Sequence, residues 1–137
     1  KTNITGIPFL KIKVCADKPG FDLCVALSVI NKKNRSTFQL STGFLRIRGE
    51  EAKKIVSREV QLQPISAELK RGEMLRISIS ASAWPAIGIN PGNESEPCGP
   101  TKASSEIITL KMNLEEANLQ IYPFLFNKDL QKELKSA

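Results

Sequence analysis

The chain predicts an all-β fold, a sandwich of two antiparallel sheets, on three observations. Short segments rich in Val, Ile, Leu and Phe recur along its 137 residues, separated by turn signals such as Pro19-Gly20, Asn31-Lys-Lys-Asn34 and Arg71-Gly72. The stretch from Met74 to Ser80 alternates strictly, with Leu75, Ile77 and Ile79 on one parity and Met74, Arg76, Ser78 and Ser80 on the other. That period of two belongs to a half-exposed strand. No segment with a helical period is long enough to stand alone.

Each element follows from its residues. From Ile7 to Val14 the apolar Leu10, Ile12 and Val14 alternate with Phe9, Lys11 and Lys13, and Pro19-Gly20 then turns the chain. Leu23 to Ile30 is apolar except for Ser28, which fits a central strand covered on both faces. A polar connection at 31–34 leads to a strand from Phe38 to Ile47, expected to bend at Gly43. Glu50–Lys54 is too short and uncapped for a helix and reads as a loop or single turn. A strand runs from Ile55 to Leu62, and Pro64 limits it because proline has no ladder donor. After the strand at 74–80, residues 83 to 104 form a long segment rich in Pro, Gly, Asn and Ser. Loops of that length in a compact domain are functional or packed against something. Strands are expected at Glu106–Met112 and Leu119–Phe126, with a turn at Leu114–Asn118 between them. The sandwich domain thus spans 1–126, and a tail at 127–137 carries a short helical spacing of Leu130 and Leu134.

Composition narrows the function. The net charge is +6, but basic residues are interleaved with acids, as in Arg46-Ile-Arg-Gly-Glu-Glu-Ala-Lys-Lys54, and aromatics are 6% of the chain. There is neither a basic stripe nor a stacking platform, so no nucleic-acid partner is expected. No apolar run approaches the ~20 residues of a membrane span, and no membrane partner is expected. Cys15, Cys24 and Cys98 are an odd set without a Cys-x-x-Cys, and the chain has no histidine. A structural zinc site is therefore not expected, nor any metal or cofactor. Cys24 lies in the apolar run and reads as a buried thiol. Free thiols favour a reducing compartment and hence a cytoplasmic protein. The triplets Asn3-Ile-Thr5, Asn34-Arg-Ser36 and Asn93-Glu-Ser95 point the other way but arise readily by chance.

The lack of histidine also closes the Ser-His-Asp route within this chain, since nothing can take the serine proton. No Gly-x-Ser-x-Gly elbow occurs; Gly88-Ile-Asn-Pro-Gly92 has Asn at the key position. Glu50-Glu51 and Glu115-Glu116 are adjacent loop carboxylates, which do not flank a substrate. No catalytic residue is expected. The strongest site candidates lie instead in the long loop. Trp84 is the only tryptophan, and Trp84-Pro85 and Asn90-Pro91 stiffen the backbone around it. A stiff, partly apolar loop loses little entropy on docking.

The ordered set of motifs resembles the C-terminal jelly-roll domain of the X-Pro dipeptidyl-peptidase and cocaine-esterase-like hydrolases. Ile4-Thr-Gly6 is similar to that domain's entry, ahead of an acidic, Pro-containing turn (Asp17-Lys-Pro-Gly20). Phe21-Asp-Leu-Cys-Val-Ala-Leu27 resembles its Asp-bearing strand start, and Ser41-Thr-Gly-Phe-Leu-Arg-Ile-Arg48 its Gly-x-Leu-Arg-x-Arg segment. Gly72 to Pro85 is similar to its Gly-His-Arg-Leu-Arg-Leu-x-Ile-Ser-Ser-Ser-x-Phe-Pro, Asn90-Pro91 to its Asn-Pro, and Leu119-Gln-Ile-Tyr-Pro123 to its closing strand. Glu73, Trp84 and Ala86 depart from the His, Phe and Arg of the pattern.

The resemblance implies a galactose-binding-domain-like jelly roll whose partner is an α/β-hydrolase catalytic domain of the same parent chain. That domain carries the catalytic residues, while the jelly roll packs on it and shapes substrate access. By match to Phe-Pro and Asn-Pro, Trp84, Pro85, Asn90 and Pro91 are then docking or loop-ordering residues. A second reading is a stand-alone module that binds carbohydrate or another ligand, because one sandwich hosts many functions. A third is a module that mediates homo-oligomers.

Overall fold

The computed structural model describes residues 1–94 and 98–124. Among them are seven strands: β1 (Thr2–Ala16), β2 (Gly20–Asn31), β3 (Thr37–Arg48), β4 (Val56–Gln61), β5 (Ile65–Leu69), β6 (Glu73–Ser80) and β7 (Leu110–Tyr122). A single 3₁₀ turn lies at Glu50–Lys53. The strands form two antiparallel sheets, the β-sandwich that the segment pattern predicts. In one sheet β1 is flanked on one side by β4 and then β5, and on the other by β7. The other has the order β3-β2-β6.

The alternation of β1 decides which face is core. Leu10, Ile12 and Val14 are buried, while Lys11 and Lys13 face solvent. Facing them from β2 are Phe21, Leu23, Val25 and Leu27, all buried, and Ile47, Val60 and Leu62 complete the cluster. The first half of β2 is buried on both faces, as a continuous apolar run requires. Its inward residues meet the opposite sheet, and its outward ones lie under the long loop.

Two glycines make close approaches possible. Gly6 has φ +149°, and a Cβ there would lie 2.2 Å from the Tyr122 carbonyl oxygen. A Cβ on Gly43 would lie 2.5 Å from the Gln61 carbonyl oxygen. The β4–β5 joint uses the second approach to reach across to β3. Gly43 bridges Leu62, Gln63 N–H donates to Thr42 O (3.0 Å), and Ser41 Oγ donates to Gln63 O (2.6 Å).

The structure corrects several expectations. The register slip in β3 falls opposite Leu27/Ser28, at Leu40, rather than at Gly43, which serves the close approach instead. β5 follows Pro64 directly, because its pairing with β1 resumes one residue out of step. The turn expected at Leu114–Asn118 is a bulge inside one long strand. The pairing jumps from Lys11↔Asn118 to Lys13↔Asn113, so the extra residues loop out while both flanks stay on β1. Asn113 Oδ1 holds the bulge by accepting the N–H groups of Glu115 (3.1 Å) and Glu116 (3.3 Å). The strand expected from Glu106 starts at Leu110, and the closing strand ends at Tyr122. Phe126 and the tail at 127–137, with its Leu130/Leu134 spacing, lie outside the described residues.

Candidate functional site

The long loop after β6 is held to the outer face of the β3-β2-β6 sheet by one buried cluster. Asp22 lies in the doubly covered first half of β2 and is 2% exposed. Arg46, on the neighbouring β3, is its cross-strand partner. The guanidinium forks onto the carboxylate, Nε donating to Oδ1 (2.8 Å) and Nη2 to Oδ2 (2.6 Å). Nη2 also donates to the Gly88 carbonyl oxygen (2.6 Å). Asn90 Nδ2 donates to Asp22 Oδ1 (3.1 Å), while its Oδ1 accepts the Gly92 N–H (3.0 Å). Such bidentate, charge-assisted contacts are strong and directional. The carboxylate beside it holds the Arg46 guanidinium charged, further above its ordinary range. Arg46 also lies over the Phe44 ring, 5.4 Å from its centroid.

The rest of the loop closes on itself and on the segment that leads into β7. Ile89 and Gly99 exchange both backbone hydrogen bonds (3.0 Å each), and Glu106 N–H donates to Pro91 O (2.9 Å). Asn93 Nδ2 donates to Ser104 O (2.5 Å). Lys18 pairs with Glu106, and the Asp17 carboxylate accepts the Thr109 N–H (2.8 Å), so the first turn of the chain also grips the loop's exit.

The four residues singled out from sequence separate into two pairs. Asn90 and Pro91 are half-buried in the anchor. Trp84 and Pro85 are exposed at the loop's outer end, Trp84 at 60%. The turn carrying them is closed by Ile87 N–H donating to Ala83 O (3.1 Å).

Beside that turn lies a groove of about 640 Å³. Its floor is the outer face of β2 and its neighbours, with Cys24, Ala26 and Phe44; Ala86 and Ile87 form one wall and the β4–β5 joint the other. Not one of its lining residues is charged. The opposite sheet differs: its outer face carries Lys11, Lys13 and Glu59, with Lys13 paired to Glu116. A sandwich normally presents polar residues on both outer faces, so the groove is the unusual one. Burial, and then the charge of Asp22, pushes the Cys24 thiol above its ordinary value, with Arg46 opposing, so it sits in the floor as a protonated apolar group. Among the described residues no cluster of His, Cys, Asp and Glu could hold a metal ion, and no helix is long and apolar enough to cross a membrane.

Sequence reasoning pointed to Asn90 and Pro91 but missed the Asp22–Arg46 fork that holds them, and the groove. The available signal was Asp22 itself, a carboxylate at the head of an apolar strand run, where a charge needs a buried partner. The anchor unites three motifs separated in sequence: the strand containing Asp22, the Gly43-Phe-Leu-Arg46-Ile-Arg48 segment and Asn90-Pro91.

That convergence agrees with comparison to known proteins. The model of one family, the X-Pro dipeptidyl-peptidase C-terminal non-catalytic domain, matches residues 1–120. The chain belongs to this family. No curated protein and no solved structure matches it. As an X-Pro dipeptidyl-peptidase C-terminal domain, the chain is a non-catalytic unit of a peptidase-type protein, consistent with its lack of histidine. The match covers β1 to most of β7, including the anchor, the groove and the Trp84 turn.

Proposed function

We propose that this domain packs on an α/β-hydrolase catalytic domain of the same parent polypeptide and forms part of the wall of its substrate entrance. The uncharged groove beside an exposed tryptophan carries this reading. Burying it against a partner desolvates no ion, and the clamped loop has little freedom left to lose. Trp84 and Pro85 make the contact, while Asn90 and Pro91, with Asp22 and Arg46, hold the loop in the docking conformation. The parent acts as a serine hydrolase on X-Pro peptides or related esters and acyl compounds. The three free thiols favour a reducing, cytoplasmic setting.

The test compares hydrogen exchange in the parent polypeptide with that in the isolated domain. Protection of residues 24–26, 42–44 and 83–87 in the parent is expected. Equal exchange in the two, or a parent reading frame without a nucleophile elbow, Asp and His, would refute the proposal. Neutral side chains around the groove (Gln39, Gln61 and Gln63) favour a second reading, a neutral carbohydrate bound beside Trp84. A glycan array separates the two: binding by the isolated chain, lost in Trp84→Ala, would support the carbohydrate reading.

A further inference from the structure

Charge is distributed unevenly between the two ends of the sandwich. The β2–β3 turn carries Lys32, Lys33 and Arg35, and the β5–β6 turn carries Lys70 and Arg71. Lys32 N–H donates to Gly72 O (3.3 Å), so the two turns meet at one end. The register sets Lys1 and Glu68 beside them, because Thr2 pairs with Leu69. Glu73 pairs with Asn31, and Arg76 lies just inside, opposite Ser28 on the outer face. This end thus gathers seven of the chain's 20 basic residues and two of its 14 acidic ones, which is +5 of the net +6. Along the sequence these cations are scattered; folding collects them.

Both acids are already engaged. Glu68 pairs with Lys1 (3.1 Å), and Glu73 Oε2 accepts the Lys70 N–H (2.8 Å) inside its turn. Lys32, Lys33, Arg35, Lys70, Arg71 and Arg76 are all exposed, and among the described residues none of their side chains has an ion-pair or hydrogen-bond partner. Elsewhere Lys13, Lys18, Arg46, Lys53 and Lys54 are paired with carboxylates. The two turns are fixed from within: Asn31 N–H donates to Ser36 O (3.0 Å), Asn34 Oδ1 accepts the Ser36 N–H (3.0 Å), and Glu73 N–H donates to Lys70 O (3.1 Å). Cations on a fixed backbone lose less entropy on docking. Apolar side chains stand among them. Phe38 is 71% exposed, and exposed Met74 lies beside Ile30 on the outer face.

We propose that this end docks on the surface of an anionic lipid bilayer, with its cations at the level of the phosphates and Phe38 and Met74 at the boundary with the acyl chains. Lying on a bilayer needs no spanning segment, only cations beside apolar side chains that enter the interface. The mixture favours a bilayer over other polyanions. A single phenyl ring offers no run of stacking surfaces for bases. A carboxylate patch on a protein would satisfy the cations and leave Phe38 and Met74 against ions. The contact does not compete with the Trp84 turn. β2 runs from Asp22 at the loop anchor to Asn31 at this end, which sets the two surfaces about 30 Å apart.

The test is cosedimentation of the full 137-residue chain with phosphatidylcholine vesicles, either pure or containing about one-third phosphatidylglycerol, at about 0.1 M salt. Binding to the anionic vesicles alone is expected. Lys70→Gln with Arg71→Gln removes two exposed cations and weakens binding about 30-fold, at about fivefold per cation. Lys53→Gln with Lys54→Gln makes the same change in net charge at the opposite end, beyond a screening length, and alters binding less than about threefold. Phe38→Ala weakens it about tenfold through lost apolar burial. No binding to anionic vesicles, equal losses in the two double variants, or unchanged binding by Phe38→Ala overturns the proposal. Capture by a duplex oligonucleotide or by polyglutamate without capture by the vesicles assigns this end to another polyanion and overturns it as well.

Discussion

Replacing Arg46 by methionine probes the anchor most directly. Methionine keeps much of the volume and an apolar stem, and removes both the fork and the guanidinium over the Phe44 ring. Asp22 is then a carboxylate 2% exposed, with Oδ2 stripped of its partner and Oδ1 left with the Asn90 amide. Orphaning one member of a buried ion pair costs about 3–5 kcal/mol. At about 3–4 °C per kcal/mol for a chain of this size, the midpoint of thermal unfolding falls by about 9–20 °C. Asp22→Asn costs less, about 1–3 kcal/mol, since the amide still accepts one guanidinium bond and no buried charge is stranded on its side. The double variant removes both charges, so its cost falls short of the sum by about 2 kcal/mol. Circular dichroism during thermal and urea unfolding measures all three, and hydrogen exchange at 88–92 reports whether the loop lifts. A drop of less than about 3 °C for Arg46→Met, or strictly additive costs in the cycle, would refute the idea that the cluster is a coupled anchor.

Other outcomes follow from single contacts. Gly6→Ala places a methyl 2.2 Å from the Tyr122 carbonyl at φ +149°, and should cost more than about 3 kcal/mol or abolish folding, read by urea titration. Trp84→Ala removes a side chain that is mostly in solvent, so the isolated domain should keep its stability within about 0.5 kcal/mol in the same titration. Alkylation followed by mass spectrometry should modify exposed Cys98 first, half-buried Cys15 next, and Cys24, 8% exposed in the groove floor, last. Cys24 is raised in the folded state, so above the ordinary thiol range the unfolded chain has lost a proton that the folded chain retains. Its stabilising contribution is intact below that range and is lost as pH rises through the folded value. Unfolding free energies across that window should fall less steeply in Cys24→Ala than in the parent chain.

Much of the architecture is legible in the chain because strands announce themselves locally. Leu10, Ile12 and Val14 alternate with lysines, so β1 has one possible inward face; Leu75, Ile77 and Ile79 do the same for β6. The apolar run after Phe21 has no alternation because a central strand is covered twice. The absence of histidine excludes a triad whatever the fold, since it depends on composition alone. Gly6 and Gly43 can be read as glycines, but their necessity comes from Tyr122 and Gln61, far along the chain.

Tertiary structure alone decided how distant segments meet. The fork of Arg46 on Asp22 forms because antiparallel pairing sets 22 beside 46, and Asn90 joins because the loop folds back over that pair. The groove exists only where the β4–β5 joint and the Trp84 turn rise on either side of the outer face. The residues at Leu114–Asn118 predict a turn between strands, because a bulge and a turn share the same polar residues; only continued pairing with β1 tells them apart. Local periodicity is a property of neighbours in sequence, whereas sites and edges arise from contacts between residues that only folding brings together.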